Sequence, residues 1–298
     1  MSDVPLGAFL SGGIDSSSVV AHMAATMGRP VRTFTVRFPA ENGLYDEGDA
    51  ARTTAKFLGT EHTELIVRAD AAELLPRVIR HFDEPFGNPT ALLMYRLAEE
   101  TRRSVTVILS GDGGDELFGG YPRYRGLRWL NRYRFVPRPL RRLGRWAATH
   151  CLRDALDGRT TTRRLREFLE ADPDDLWGAY ARWVGYFPEF EKASLYTQDF
   201  SAQFRSPDNG EWLRRQAAHG VRDHSPKSIV AAVSQLDMET FLPENVLQYS
   251  DRMSMAHGLE VRLPFTDHQL VEHVLPLPDR WKLGPRHGKR LLRAAMQG

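Results

Sequence analysis

Leu10-Ser11-Gly12-Gly13-Ile14-Asp15-Ser16-Ser17 lies between an apolar run, Val4 to Leu10, and a segment in which the apolar Val19, Val20 and Met23 recur at helical spacing. A buried strand, a glycine turn and a helix start therefore coincide. The first N–H groups of such a helix have no intrahelical acceptor, and the positive end of its dipole favours an anion. Gly12 and Gly13 let backbone approach a phosphate, and Ser11, Ser16 and Ser17 add hydroxyl donors. Asp15 repels an anion directly and is suited to meet one through a divalent cation, so the stretch predicts a phosphate site shared with a divalent cation. No Gly-x-x-x-x-Gly-Lys-Ser/Thr loop is present, which points to a pyrophosphate grip of another kind, as in enzymes that cleave ATP between its α and β phosphates. The competing reading is a glycine–serine turn that caps an ordinary helix.

A second cluster, Ser110-Gly111-Asp112-Gly113-Gly114-Asp115-Glu116-Leu117-Phe118-Gly119-Gly120-Tyr121, follows the β-branched run Val105-Thr106-Val107-Ile108-Leu109. In a parallel α/β sheet, ligands bind outside the carboxyl ends of strands near the switch point, so both loops are expected to face one crevice. Asp112, Asp115 and Glu116 would then supply acid, metal-ligand or orienting groups. Alone, the cluster reads equally well as a solvated acidic loop with glycines for tight turns.

With these loops in place, further blocks carry a family resemblance. They are Tyr45-Asp46-Glu47 with Phe57-Leu58-Gly59-Thr60-Glu61-His62, then Asp83-Glu84-Pro85-Phe86, and then Asp251 to Phe265 (DRMSMAHGLEVRLPF). In order and spacing the chain resembles the synthetase domain of glutamine-dependent asparagine synthetases, within the wider ATP-pyrophosphatase group that includes β-lactam synthetases. The resemblance implies an adenine nucleotide α-hydrolase-like, Rossmann-like α/β core. It puts Ser11 to Ser17 in the place of the pyrophosphate loop, and Asp15 and Asp115 in the places of magnesium ligands. Phe9, Val36, Ser110 and Gly111 stand where the family packs adenosine and hydrogen-bonds its base and ribose. Asp112 stands where many members have Glu, near the acyl-adenylate and the incoming ammonia, as a proton acceptor. Glu84 and Arg262 fall near the substrate end of the crevice without assigned roles.

The implied reaction adenylates the side-chain carboxylate of aspartate, releases pyrophosphate, and then forms the amide with ammonia. Three classes remain open: this ligase, a related ATP-pyrophosphatase acting on another carboxylate or on tRNA, and a nucleotide-binding chain without turnover. The resemblance also implies departures at both ends. Family members carry a glutaminase domain with an N-terminal cysteine nucleophile, whereas here Met1 lies ten residues before Ser11 and the sole cysteine is Cys151. The ammonia is accordingly expected from a missing glutaminase domain or a separate source. Lys289-Arg290-Leu291-Leu292-Arg293 resembles the family's late Lys-x-x-Leu-Arg helix, and a charge-neutralising lysine is expected in a segment beyond it that this chain lacks. The expectation is a truncated chain that keeps nucleotide binding.

The alternation of strands with helical patterns over residues 1–125 (Val4–Leu10, Asp49–Leu58, Val31–Phe38, Glu61–Val67, Ala71–Phe82, Ala91–Arg103, Val105–Leu109) predicts a parallel sheet covered on both faces. Residues 126–224 read as a helical insert punctuated by Pro137, Pro139, Pro173, Pro188 and Pro207, and residues 225–298 as helices packing on the core. Within the insert, Arg138, Arg141, Arg142 and Arg145 with Trp129, Tyr133 and Trp146 suggest nucleic acid. A near-neutral whole chain, formal net charge +2, favours instead a solvated arginine-rich insert with its aromatics on the buried side. A lone cysteine excludes a disulfide framework, and no apolar run approaches the roughly 18 residues of a spanning helix, so a cytoplasmic location without membrane contact is expected. The histidines lack metal-ligand spacing; Met253 and Met255 read as core, and Asp251–Arg252 as a structural ion pair.

Overall fold

The computed structural model describes residues 2–37, 47–66, 71–151, 160–187, 189–203, 209–220 and 228–297. Tyr45, Asp46, Pro188 and Pro207 lie outside them. The chain divides into two compact units, one of residues 1–118, 237–277 and 289–298, the other of 119–236 and 278–288. The expected C-terminal part, 225–298, is thus shared between the units.

The first unit is α/β. Its elements run β1 (Leu6–Phe9), α1 (Ile14–Thr26), β2 (Arg32–Arg37), α2 (Gly48–Leu58), β3 (Glu61–Ile66), α3 (Ala71–Phe82), α4 (Thr90–Thr101), β4 (Val107–Leu109) and α5 (Gly114–Phe118), with β5 (Glu260–Arg262) returning late. The strands form one sheet in the order β3-β2-β1-β4-β5, every pair parallel. Register is set by apolar positions: Phe9 lies opposite Phe34, and Gly7 opposite Ile108. On one face Ala8 and Leu10 pack with Val19, Val20 and Met23 of α1 and Ala51 and Ala55 of α2. On the other, Phe34 and Ile108 pack with Ala98 of α4, while Leu74, Val78 and Phe82 of α3 bury Met253. Burial on both faces is why the central strands β1 and β4 read as apolar runs, while the outer β3 and β5 alternate exposed and half-buried residues. The winding reverses between β1 and β4, so the loops that follow them flank the switch point.

Three local readings change. The last part holds a strand, β5, as well as helices; its three residues expose Glu260 and Arg262 and half-bury Val261, too short a pattern to separate from a loop. Met255 is exposed where Met253 is core. Arg252 does not pair with Asp251; it donates to the Phe82 carbonyl at 2.9 Å and so ties the helix Gln248–Met255 to the end of α3.

The second unit is helical among its described residues and has its own core of Tyr124, Leu127, Tyr180, Val230, Val233, Leu236 and Leu283. Here the expected side of the aromatics is overturned: Trp129 and Trp146 are exposed, and Tyr133 is half-buried against Phe168. The buried side of the helix Arg138–Cys151 is instead taken by small residues, Gly144 and the fully buried Ala148, which admit a close neighbour where an indole would not fit. No helix among the described residues is long and apolar enough to cross a membrane.

Candidate nucleotide site at the switch point

Both glycine loops lie in the α/β unit, and they touch. A Cβ placed on Gly111 would fall 2.7 Å from the backbone nitrogen of Ser16, and one on Gly114 would fall 2.7 Å from the Asp15 carboxyl carbon. Only hydrogen at these two positions lets the turn after β4 seat against the first turn of α1.

The first loop is wired by its own serines. The Ser11 N–H donates to Ser16 Oγ at 3.0 Å, the Gly13 N–H donates to Ser11 Oγ at 3.1 Å, and the Ser17 hydroxyl donates to the Gly13 carbonyl at 2.8 Å. The hydroxyls expected as anion donors are thus spent on shaping the loop. Gly13 enters α1 with extended backbone and no side-chain cap. Among the described residues nothing accepts from the N–H groups of Ile14, Asp15 or Ser16, and three donors at the positive end of a thirteen-residue helix remain open.

In the second loop the Ser110 N–H donates to the Arg262 carbonyl at 3.0 Å, and its hydroxyl donates to Asp112 Oδ2 at 3.0 Å. What Ser110 has left for a ligand is its carbonyl. Glu116, grouped with Asp112 and Asp115 by sequence, is fully buried in α5. Phe9 and Val36 are half-buried at the carboxyl ends of β1 and β2 and, by register with Phe34, lie on one face of the sheet.

Two groups in the site are not assigned to it by the sequence. The Lys289 ammonium bridges Asp15 Oδ2 and Asp115 Oδ1, the latter at 2.8 Å, from the left-handed residue that starts the helix Arg290–Ala295 (φ 57°). The Lys289 N–H donates to the Phe118 carbonyl at 3.1 Å, so the same α5 that carries Asp115 fixes the lysine. A positive φ outside glycine costs of order 1 kcal/mol and persists where surrounding structure imposes it. The signal was Lys289 itself, read as a helix start while the neutralising lysine was sought further on. The second group is Tyr249, half-buried, whose hydroxyl is pushed above the usual tyrosine range by burial and by Asp112 and Glu116.

The pocket is acidic on balance. Burial raises the Asp15 carboxyl, Lys289 pulls it back, and Asp115 and Asp112 raise it again. Burial works against the Lys289 ammonium, yet the two carboxylates outweigh it and hold the lysine above its ordinary range. The two shifts share a direction for different reasons: Asp15 rises chiefly because it is buried, and Lys289 rises because two carboxylates face one ammonium. Asp15 Oδ1 is buried with no partner among the described residues. A divalent cation would satisfy it. No set of three or more His, Cys, Asp or Glu side chains among the described residues could hold a metal, but Mg2+ with a polyphosphate needs only one or two carboxylates, the rest being phosphate oxygens and water. Asp15 and Asp115 fit that requirement.

Burial raises the Asp112 carboxyl above its ordinary 3.8, the Ser110 hydrogen bond lowers it, and Asp115 adds to the rise. The folded chain therefore holds this proton to higher pH than the unfolded one. The stability it contributes is complete below about pH 3.8 and is lost as the pH rises through the folded value. Asp112→Asn is expected to raise the thermal midpoint at pH 7, with the gain shrinking toward pH 4. An unchanged or lower midpoint at pH 7 would contradict the burial of a charge here.

Comparison with known proteins adds independent findings. The family model for asparagine synthase matches residues 1–298. The chain is 31% identical over 299 residues to asparagine synthetase [glutamine-hydrolyzing] 1 of Bacillus subtilis, an overlap of 100% of this chain and 44% of that protein. It is 33% identical over 299 residues to a putative asparagine synthetase [glutamine-hydrolyzing] of Mycobacterium tuberculosis, covering 99% of this chain and 43% of that one. A protein named amidase chry2 from Gibberella zeae is 26% identical over 317 residues. The chain spans less than half the length of these relatives.

Proposed function

The chain belongs to the asparagine synthase family, and from that premise we propose that its α/β unit binds Mg-ATP outside β1 and β4 and catalyses ATP-dependent amide formation on a carboxylate. The observation that carries the reading is the juxtaposition of three open N–H donors with the Asp15–Lys289–Asp115 bridge. Donors at a helix start, two carboxylates suited to a magnesium ion and a buried ammonium together suit a triphosphate.

In the proposed first step an oxygen of the aspartate side chain attacks the α-phosphorus. The bond to the bridging α–β oxygen breaks, and pyrophosphate leaves with the electron pair. The N–H groups of Ile14, Asp15 and Ser16 are aimed at the charge that gathers on the leaving group, and their alignment is fixed in advance by the serine wiring. Mg2+, held by Asp15, Asp115 and phosphate oxygens, would supply further neutralisation of that charge. Lys289, whose ammonium lies between those two carboxylates, would neutralise the same charge on the pyrophosphate. Phe9 and Val36 offer an apolar wall to the adenosine, and Ser110 and Gly111 offer backbone.

In the second step ammonia attacks the acyl carbon, AMP leaves with the bonding pair, and the excess proton passes to Asp112. Its raised carboxyl, oriented by Ser110, is a stronger proton acceptor than an exposed aspartate once ionised. The relatives' names point to glutamine as the source of the ammonia, through a glutaminase domain or a partner. One relative at 26% identity carries an amidase name, so a second reading keeps amide chemistry and leaves the acid open.

Titration calorimetry with Mg-ATP followed by a pyrophosphate-release assay with aspartate and ammonium chloride tests this. Binding and aspartate-dependent release are expected. No binding up to millimolar nucleotide defeats the site, and release that depends on a different acid moves the substrate.

A further inference from the structure

The helix Arg138–Cys151 is amphipathic in an unusual way, because it has two apolar sides. Gly144 and Ala148 face its own unit. Leu140, at the exposed N-terminal end of that side, and Leu143 and Trp146, which turn progressively away from it, recur every three residues and are 57%, 60% and 56% exposed. Arg138, Arg142 and Arg145 make an exposed stripe between the two sides. Between Glu116 and Asp154 the sequence has ten arginines and no aspartate or glutamate.

We propose that this exposed face docks on an anionic lipid bilayer, with Leu140, Leu143 and Trp146 entering the headgroup–acyl boundary and the arginine stripe meeting phosphates. Helices that lie in a membrane surface combine leucine and tryptophan on one side with arginine beside them. The partner is anionic, since Arg141 pairs with Asp174 at 3.2 Å while among the described residues no carboxylate pairs with Arg138, Arg142 or Arg145 of the stripe. Nucleic acid fits less well: leucines have no stacking face, and the Trp146 ring is already stacked on His150 at 5.1 Å and 21°. A second copy fits less well too, because a two-fold contact centred on this helix would set like stripe against like stripe.

Co-sedimentation of the protein with phosphatidylcholine vesicles, with and without one third phosphatidylglycerol, tests the proposal. Binding is expected only to the anionic vesicles and is expected to weaken at high salt. Leu143→Glu and Arg142→Glu should each reduce the bound fraction by about fivefold or more. Phe57→Ser, which removes an exposed phenylalanine of the other unit, should leave it unchanged. Because these side chains are exposed, unchanged thermal midpoints accompany the expected result. No binding to anionic vesicles overturns the proposal, as does equal loss in Phe57→Ser. So does a tRNA mobility shift or a dimer abolished by Leu143→Glu in protein that does not sediment with vesicles.

Discussion

Lys289→Met is expected to lower pyrophosphate release by about 10²–10³-fold, the effect of removing one preorganised group aimed at developing charge. The same change is expected to tighten binding of Mn2+ in the absence of nucleotide. Lys289 stands between Asp15 and Asp115, and its ammonium and a divalent cation compete for the same oxygens. Without it, Asp15 and Asp115 repel each other with no internal counter-ion, and an added cation relieves more energy. Some stability is lost as well, because the Lys289 and Asp15 side chains are only 12% and 13% exposed. The Asp115 half of the bridge, 37% exposed, adds little. Lys289→Arg keeps the charge but carries a planar fork in place of a compact ammonium, so it should restore stability without restoring release. Equal turnover in parent and Lys289→Met, or weaker Mn2+ binding in the variant, would remove the lysine from the mechanism.

Gly111→Ala is expected to destabilise the fold by about 1–3 kcal/mol, the usual cost of forcing a methyl into packed structure, and to weaken Mg-ATP binding by about tenfold or more. The added carbon would lie 2.7 Å from the Ser16 nitrogen and 3.0 Å from the Asp15 carbonyl carbon. Both are backbone atoms of the first turn of α1, which cannot step aside as a side-chain end would. Relief comes only by moving one loop off the other, and that displaces the open N–H groups from Asp115 and Lys289. Gly87→Ala is the control: it meets nothing within 4 Å, has no positive φ, and should change the midpoint little. Thermal melts and calorimetry on the two variants check both effects. Equal behaviour would mean that the two loops are not held in contact in solution.

The α/β class was legible because local rules act over a few residues. Val105 to Leu109 is β-branched and bounded by Gly111, and Ala71 to Phe82 repeats Leu74, Val78 and Phe82 at helical spacing, so propensity and burial agree. The strand Glu260–Arg262 was not, since one half-buried valine between two charges carries no period, and pairing with β4 is what makes it a strand. The aromatics of the arginine-rich helix were placed on the wrong side for a related reason. Arginine, tryptophan and leucine recur at spacings that allow either side to be buried, and only the neighbour's close approach over Gly144 and Ala148 selects one.

The sequence by itself determined the alternation of strands and helices, the glycine–serine turn at the start of α1 and the acidic turn after β4, because each rests on neighbours within about a dozen positions. Tertiary structure alone decided that Lys289 joins Asp15 across 274 positions. Charge pairing at that separation depends on where the helix Arg290–Ala295 docks on α5, and the docking is set by burial of Leu292 with Leu117 and Phe118. No local pattern encodes it.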